Sequence, residues 1–360
     1  MEFVLGFIVS AVLALALTPR VRELAAREGA VDVPGEARKR HAGPVPLLGG
    51  LAVFASVAIA ATIFWPRLTA GFLPPKHLAG ILIGAAVLAL GGALDDRFNL
   101  KPSRQLIFTM MAALIVIASG VGIEAISNPL GGTVRVDGWQ LRLFELGGLP
   151  YHLTLPADGV AFVWLMLMMY STKLLDGLDG LVSGLAAIGA SVIAALSLTA
   201  AIGQPELALI ALIVAGAYAG FLKFNRRPAS IFLGEGGATM AGYLLGVLAI
   251  TAGAKIGITL LVMAVPLLDV VWTVFRRVVL ERTSFARADA GHLHFRLSDL
   301  GLGPAATVRL YWAFAAAFGF AGLLFNAPEY GPAWKAGAFL LLVALFLAAV
   351  LLLGRKIPKP

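Results

Sequence analysis

The chain has 360 residues, of which 59% are hydrophobic and only 13% are charged; soluble domains carry about 25% charged residues, so an ordinary water-soluble globule is excluded. There is no cysteine, which rules out disulfides, thiolate metal sites and a cysteine nucleophile. The net charge of +8 sits in short loops between apolar runs, a placement that suits anionic lipid headgroups and phosphorylated substrates better than nucleic acid.

A membrane-spanning helix needs roughly 20 largely apolar residues. Eleven runs read this way, at 2–18, 47–66, 78–94, 104–123, 156–172, 181–202, 206–224, 237–253, 256–275, 305–326 and 334–353. The first begins Met1-Glu2-Phe3 without a basic leader, and its basic cluster follows it, so it reads as a span and not as a signal peptide. Between the fourth and fifth runs, Thr133–Leu143 alternates around Asp137-Gly138, which predicts a short β-hairpin capping the outer face. No internal repeat, low-complexity tract or soluble insertion interrupts the pattern. The expected fold is an all-α polytopic membrane protein of about eleven transmembrane helices, one domain over 1–360, with that short outer hairpin.

Basic residues give the orientation. With the N-terminus outside, the inner segments hold Arg20, Arg22, Arg27, Arg38, Lys39 and Arg40, then Arg97, Lys101 and Arg104, then Lys173, then Lys223, Arg226 and Arg227. Arg276, Arg277, Arg282, Arg287, Arg296 and Arg309 follow, and the tail adds Arg355, Lys356 and Lys359. Only Arg67, Lys76, Arg135, Arg142, Lys255 and Lys335 fall outside. Basic residues mark the cytoplasmic side, so the expectation is N-terminus out, C-terminus in, at the cell membrane.

Carboxylates near a bilayer are costly and mark functional sites. Asp95 and Asp96 end the third run, Asp176 and Asp179 follow the fifth in Leu175-Asp-Gly-Leu-Asp-Gly-Leu181, and Glu235 precedes the eighth in Phe232-Leu-Gly-Glu235. All five fall at inner ends of spans, which points to one shared site. Asp95 and Asp96 also suit a plainer role as solvated charges ahead of the helix that begins near Pro102; adjacent helical residues diverge by about 100°, so one of the pair is enough for a site. Asp176 and Asp179 are three apart among glycines, a spacing that shares a helical face and a composition that lets backbone approach a ligand. In Glu36-Ala-Arg-Lys-Arg-His41 the basic residues are explained by the membrane charge rule, whereas His41 is not. Gly291-His-Leu-His-Phe-Arg296 brings His292, His294 and Arg296 together; a metal pair is one reading, and contact with phosphate oxygens is the better one because no third soft ligand is close in sequence.

The ordered set of motifs resembles the polyprenyl-phosphate N-acetylhexosamine-1-phosphate transferases. The matching pieces are Arg38-Lys-Arg-His-Ala-Gly-Pro-Val-Pro-Leu-Leu-Gly-Gly50, Leu94-Asp-Asp-Arg97, Asp176-Gly-Leu-Asp-Gly-Leu181, Phe221-Leu-Lys-Phe-Asn225 with Pro228-Ala229, Phe232-Leu-Gly-Glu235, Pro266-Leu-Leu-Asp269 and Asp289-Ala-Gly-His-Leu-His294. They run in family order along nearly the whole chain. The His-Leu-His form is closer to the branch that makes surface-polysaccharide and teichoic-acid precursors than to the peptidoglycan branch. The resemblance implies that a polyprenyl phosphate attacks the β-phosphorus of a UDP-N-acetylhexosamine, with UMP leaving and Mg²⁺ bridging the diphosphate. It implies Asp95 or Asp96 for deprotonating or positioning the lipid phosphate, Asp176, Asp179 and Asn225 on the nucleotide side, His292, His294 and Arg296 at diphosphate or sugar, and Lys39 and His41 drawing in the lipid phosphate. The implied partners are the lipid, the UDP-sugar, the membrane and a second copy of the chain as a homodimer; nucleic acid is not among them.

The departures from the family pattern cluster. Lys173 and Tyr170 stand where asparagines are usual, Glu235 replaces an aspartate, Val45 and Leu47 replace Thr and Arg, Ala290 replaces a basic residue and Phe295 a histidine. The asparagine and the acid at positions 173 and 235 are the pair the family associates with Mg²⁺. Two readings stay open: Lys173 and Glu235 form an ion pair in place of the metal, or Glu235 still binds metal on its longer arm. Three functions then compete, namely an active transferase, a binding pseudoenzyme of the same fold, and a secondary transporter. The transporter fits least, because such proteins carry charge near the bilayer midplane and show repeated halves.

Overall fold

The computed structural model describes residues 1–34, 43–123, most of 125–155, 156–200, 202–253, 259–275 apart from 261, and 302–325, with isolated positions elsewhere. Eleven helices are defined there: α1 Glu2–Arg27, α2 Gly49–Ile63, the short α3 Trp65–Leu68, α4 Pro75–Phe98, α5 Pro102–Ala118, α6 Ala157–Leu175, α7 Leu181–Ser197, α8 Pro205–Asn225, α9 Gly234–Thr251, α10 Ala264–Phe275 and α11 Pro304–Phe325. Several begin on proline, whose missing N–H is one the first turn leaves unbonded anyway. α4 stops at Asn99, which takes a left-handed conformation (φ 49°) and donates its N–H to the Asp95 carbonyl.

The first ten expected runs overlie helices wholly or in part; the last, 334–353, lies almost entirely outside the described residues. By length and composition, α1, α4, α6, α8 and α11 suffice to cross a membrane, and α2, α5 and α7 are shorter apolar helices. α8 packs against α1 and α7, and α9 is enclosed by α2, α4, α6 and α7. Beyond Glu235 in its first turn, α9 is largely apolar and buried along nearly its whole length, as befits a helix at the centre of a bundle.

Close packing at the centre rests on glycine. A Cβ on Gly92 of α4 would lie 2.1 Å from the Cα of Gly236, and one on Gly50 of α2 would lie 2.3 Å from the nitrogen of Gly237. The backbones of α2, α4 and α9 therefore touch directly. Lipid tails are as apolar as leucine, so helices in a bilayer associate through contact and not through the hydrophobic effect, and small residues make that contact.

The β structure corrects the expected hairpin. Thr133–Arg135 does not pair across Asp137-Gly138; it forms β4 and pairs back with β3, Ala125–Ser127. Trp139–Leu146 forms β5 and pairs forward with β6, Leu149–Leu155, with Leu146 opposite Leu149. The forward partner is a seven-residue extended run, against three residues behind, so it offers many more ladder hydrogen bonds. A separate two-stranded pairing of β1 (Val31–Asp32) with β2 (Val45–Pro46) links α1 to α2.

Candidate active site

Three chain segments are laced together at one end of the bundle. The Phe232 N–H donates to the Pro46 carbonyl (2.8 Å), and the Gly49 and Gly50 N–H groups donate to the carbonyls of Phe232 (3.1 Å) and Leu233 (2.7 Å). Leu48 sits at φ 70°, a left-handed conformation that costs a side-chain-bearing residue of order 1–3 kcal/mol. Its N–H donates to Asp96 Oδ2 at 3.4 Å, and the Glu235 N–H donates to Asp96 Oδ1 at 3.0 Å. Asp96 therefore bridges the starts of α2 and α9 from the end of α4. Gly234 is held at φ +74°, and a Cβ there would meet Asp96 Oδ2 at 2.1 Å, so glycine is required twice over at this position.

The last turn of α6 adds the cation. Lys173 Nζ makes an ion pair with Glu235 and donates to Gln105 Oε1 at 2.8 Å. Gln105 Nε2 in turn donates to Asp95 Oδ1 at 2.9 Å, and the same oxygen accepts the Leu100 N–H at 2.8 Å. The Lys173 ammonium also lies 5.4 Å from the Tyr170 ring centroid. A continuous polar chain thus runs from Asp95 through Gln105, Lys173 and Glu235 to Asp96. Lys173 and Glu235 each keep 19% of their side-chain surface exposed, so the chain is enclosed on most sides and open on one.

Asp176 lies just past α6. Burial, and then the negative charges of Glu235, Asp96 and Asp179, push its carboxyl up to about 7. A carboxyl raised in the folded state stabilises the protein fully only below its unfolded pKa and loses that contribution as pH rises through the folded value. Asp176→Asn is therefore expected to raise the melting temperature in detergent, with a gap over the parent that widens between about pH 4 and pH 7 and is constant above. A gap independent of pH, measured by thermal unfolding across that range, would contradict this assignment.

Asp179 and Asn225 hold loops together. Asp179 Oδ2 accepts the Ala229 N–H at 3.1 Å. Asn225, expected near the nucleotide, is only 3% exposed, and both ends of its amide are engaged: Oδ1 accepts from Ser183 Oγ (2.7 Å) and Nδ2 donates to the Ile231 carbonyl (3.1 Å). In the structure it braces α7, α8 and the 226–233 loop. Lys39, His41, His292, His294 and Arg296 lie outside the described residues. Gln105 and the Leu48 and Glu235 N–H groups were not singled out from the sequence. A lone polar residue near the start of a helix and two backbone amides carry no motif.

The donors around Glu235, among the described residues, do not suit a divalent metal. Among the described residues no group of three or more His, Cys, Asp or Glu is arranged to hold one. At Glu235 the neighbour is an ammonium, which has no lone pair to offer.

Residues 78–253, which carry α4 to α9 and all five acids of this region, match the model of glycosyl transferase family 4. A probable undecaprenyl-phosphate N-acetylglucosaminyl 1-phosphate transferase of Bacillus subtilis is 31% identical over 84% of this chain and 78% of its own length. The decaprenyl-phosphate N-acetylglucosaminephosphotransferase of Mycobacterium tuberculosis is 31% identical over 94% and 86%. The undecaprenyl-phosphate alpha-N-acetylglucosaminyl 1-phosphate transferase of Escherichia coli O157:H7 is 29% identical over the same shares. Similarity at this level, carried through the helices that build the acidic site, makes the chain a multi-pass membrane member of glycosyl transferase family 4, the polyprenyl-phosphate N-acetylhexosamine-1-phosphate transferases.

Proposed function

We propose that the protein transfers an N-acetylhexosamine-1-phosphate from a UDP-sugar to a polyprenyl phosphate, giving polyprenyl-diphospho-sugar and UMP. The observation that carries this reading is the junction of Asp96, Glu235, Lys173 and Asp176, built from span ends that the basic residues assign to the cytoplasmic side. The relatives named for N-acetylglucosaminyl 1-phosphate transfer support the choice of sugar. The reading includes eleven spans, N-terminus outside, with the site at the inner membrane surface.

In the reaction an oxygen of the lipid phosphate dianion forms a bond to the β-phosphorus, and the bond from that phosphorus to the bridging oxygen breaks. The electron pair leaves with UMP, and no proton moves in that step. Asp96, fixed by two backbone donors, orients the lipid phosphate and takes up the proton it carries when singly ionised, leaving the dianion that attacks. A largely apolar groove lined by Ala30, Leu48, Leu90, Ala93, Leu94 and Phe98 lies nearby, with Arg97 and Glu28 on its wall. Leu90, Leu94 and Phe98 are exposed, as befits a path for a prenyl chain next to a headgroup site.

Membranes containing the protein are expected to exchange radiolabelled UMP into UDP-GlcNAc in the presence of undecaprenyl phosphate, above membranes lacking it. The ion pair of Lys173 with Glu235 favours a second reading, a pseudoenzyme that binds lipid phosphate or nucleotide without turnover. Saturable UDP-GlcNAc binding with no exchange across a panel of UDP-sugars, with and without Mg²⁺, would select it.

A further inference from the structure

We propose that the Lys173 ammonium is the fixed cation of this site, meeting the sugar-nucleotide diphosphate in the place of a divalent metal, so that transfer proceeds without one. This rests on the transferase reading above. Asp96, Asp176 and Glu235 lie near enough to influence one another, and Asp95 acts on Glu235 as well. A diphosphate approaching such a cluster meets only repulsion unless a cation stands between.

Lys173 stands there and is held in place. Gln105 accepts one of its N–H donors, Glu235 pairs with a second, and the Tyr170 ring lies alongside. Gln105 is itself fixed by Asp95. Three donors radiate from an ammonium, so with two directed at protein partners the third remains for a ligand oxygen on the open side. A preorganised charge in a mostly enclosed site stabilises developing negative charge without reorganisation. A dication at Glu235 would have to displace the ammonium or lie against it, and both are costly. Position 173 is thus a charge carrier whose replacement has a defined consequence.

The test uses purified full-length protein in nanodiscs, undecaprenyl phosphate and radiolabelled UDP-GlcNAc. The parent is expected to keep its transfer rate in excess EDTA, and metal analysis of the purified protein to find less than stoichiometric divalent ion. Lys173→Gln is expected to lose about 10²–10³-fold in rate and to bind UDP more weakly in EDTA by calorimetry, while Lys173→Arg keeps a measurable part of both. Loss of parent transfer in EDTA with recovery on adding Mg²⁺ would overturn the proposal, as would stoichiometric metal that EDTA removes. If no condition gives transfer, the transferase reading fails. UDP binding in EDTA then still decides the cation: equal affinity of parent and Lys173→Gln, with both folded by size-exclusion profile, would refute it.

Discussion

Asp96→Asn is expected to slow UMP exchange by about 10²–10⁴-fold, the range lost when a positioned acid or base is removed. Each carboxylate oxygen accepts one backbone N–H, from Leu48 and from Glu235. An amide supplies one acceptor and one donor, so in the variant a donor must face a donor on one side, and either the start of α2 or the start of α9 is released. The ionised group that orients the lipid phosphate is lost at the same time. Asp95→Asn makes the informative contrast. Only Asp95 Oδ1 is used, and it takes both the Leu100 N–H and Gln105 Nε2. An asparagine oxygen can keep both bonds, so exchange is expected to fall by less than about tenfold. Rates normalised to the amount of folded protein in the membrane check the pair. Equal losses at the two positions would refute the separate roles given to them.

The second large effect is expected at the helix crossing beneath the site. Gly92→Val should destabilise the protein by about 3 kcal/mol or more, at the upper end of overpacking, because the neighbouring atoms are backbone and have no rotamer to change. A Cβ on Gly92 already falls 2.1 Å from Gly236 Cα and N. α4 and α9 would have to separate, which pulls Asp96 away from the Glu235 N–H. Exchange should therefore fall even where folded protein is recovered. Gly159→Ala serves as the control, since nothing lies within 4 Å of its added Cβ, and it is expected to change stability by less than about 1 kcal/mol. Thermal stability followed by size-exclusion profile compares the two. A tolerated valine at 92 would mean that the helices are not in backbone contact.

The extent to which the site can be read from the chain follows from the kind of signal each part leaves. Apolar runs are long, continuous and required by the thickness of a bilayer, so the helices from α1 to α11 coincide with expected runs, α3 being absorbed into the second. The acids were legible for the complementary reason, that charge at the ends of such runs is rare and stands out. The pairing of Lys173 with Glu235 was readable because an ammonium stands where an asparagine is usual while the acid keeps its charge, and the structure shows that pair. The hairpin around Asp137-Gly138 failed because alternation and a turn pair specify a strand and a bend but not which of two flanking runs supplies the partner.

Composition, hydrophobic period and the order of acidic motifs were enough to establish the membrane class, the helices and the family, because each is a property of residues close together in the chain. The site itself depends on contacts that no local pattern encodes. Asp96 receives N–H groups from residues 48 and 139 positions away, and Gln105 reaches Lys173 across 68. Those partners meet because glycines at 50, 92, 236 and 237 let three helix backbones touch. A glycine in the sequence shows that close approach is allowed; which backbone fills the space is settled only by how the helices pack.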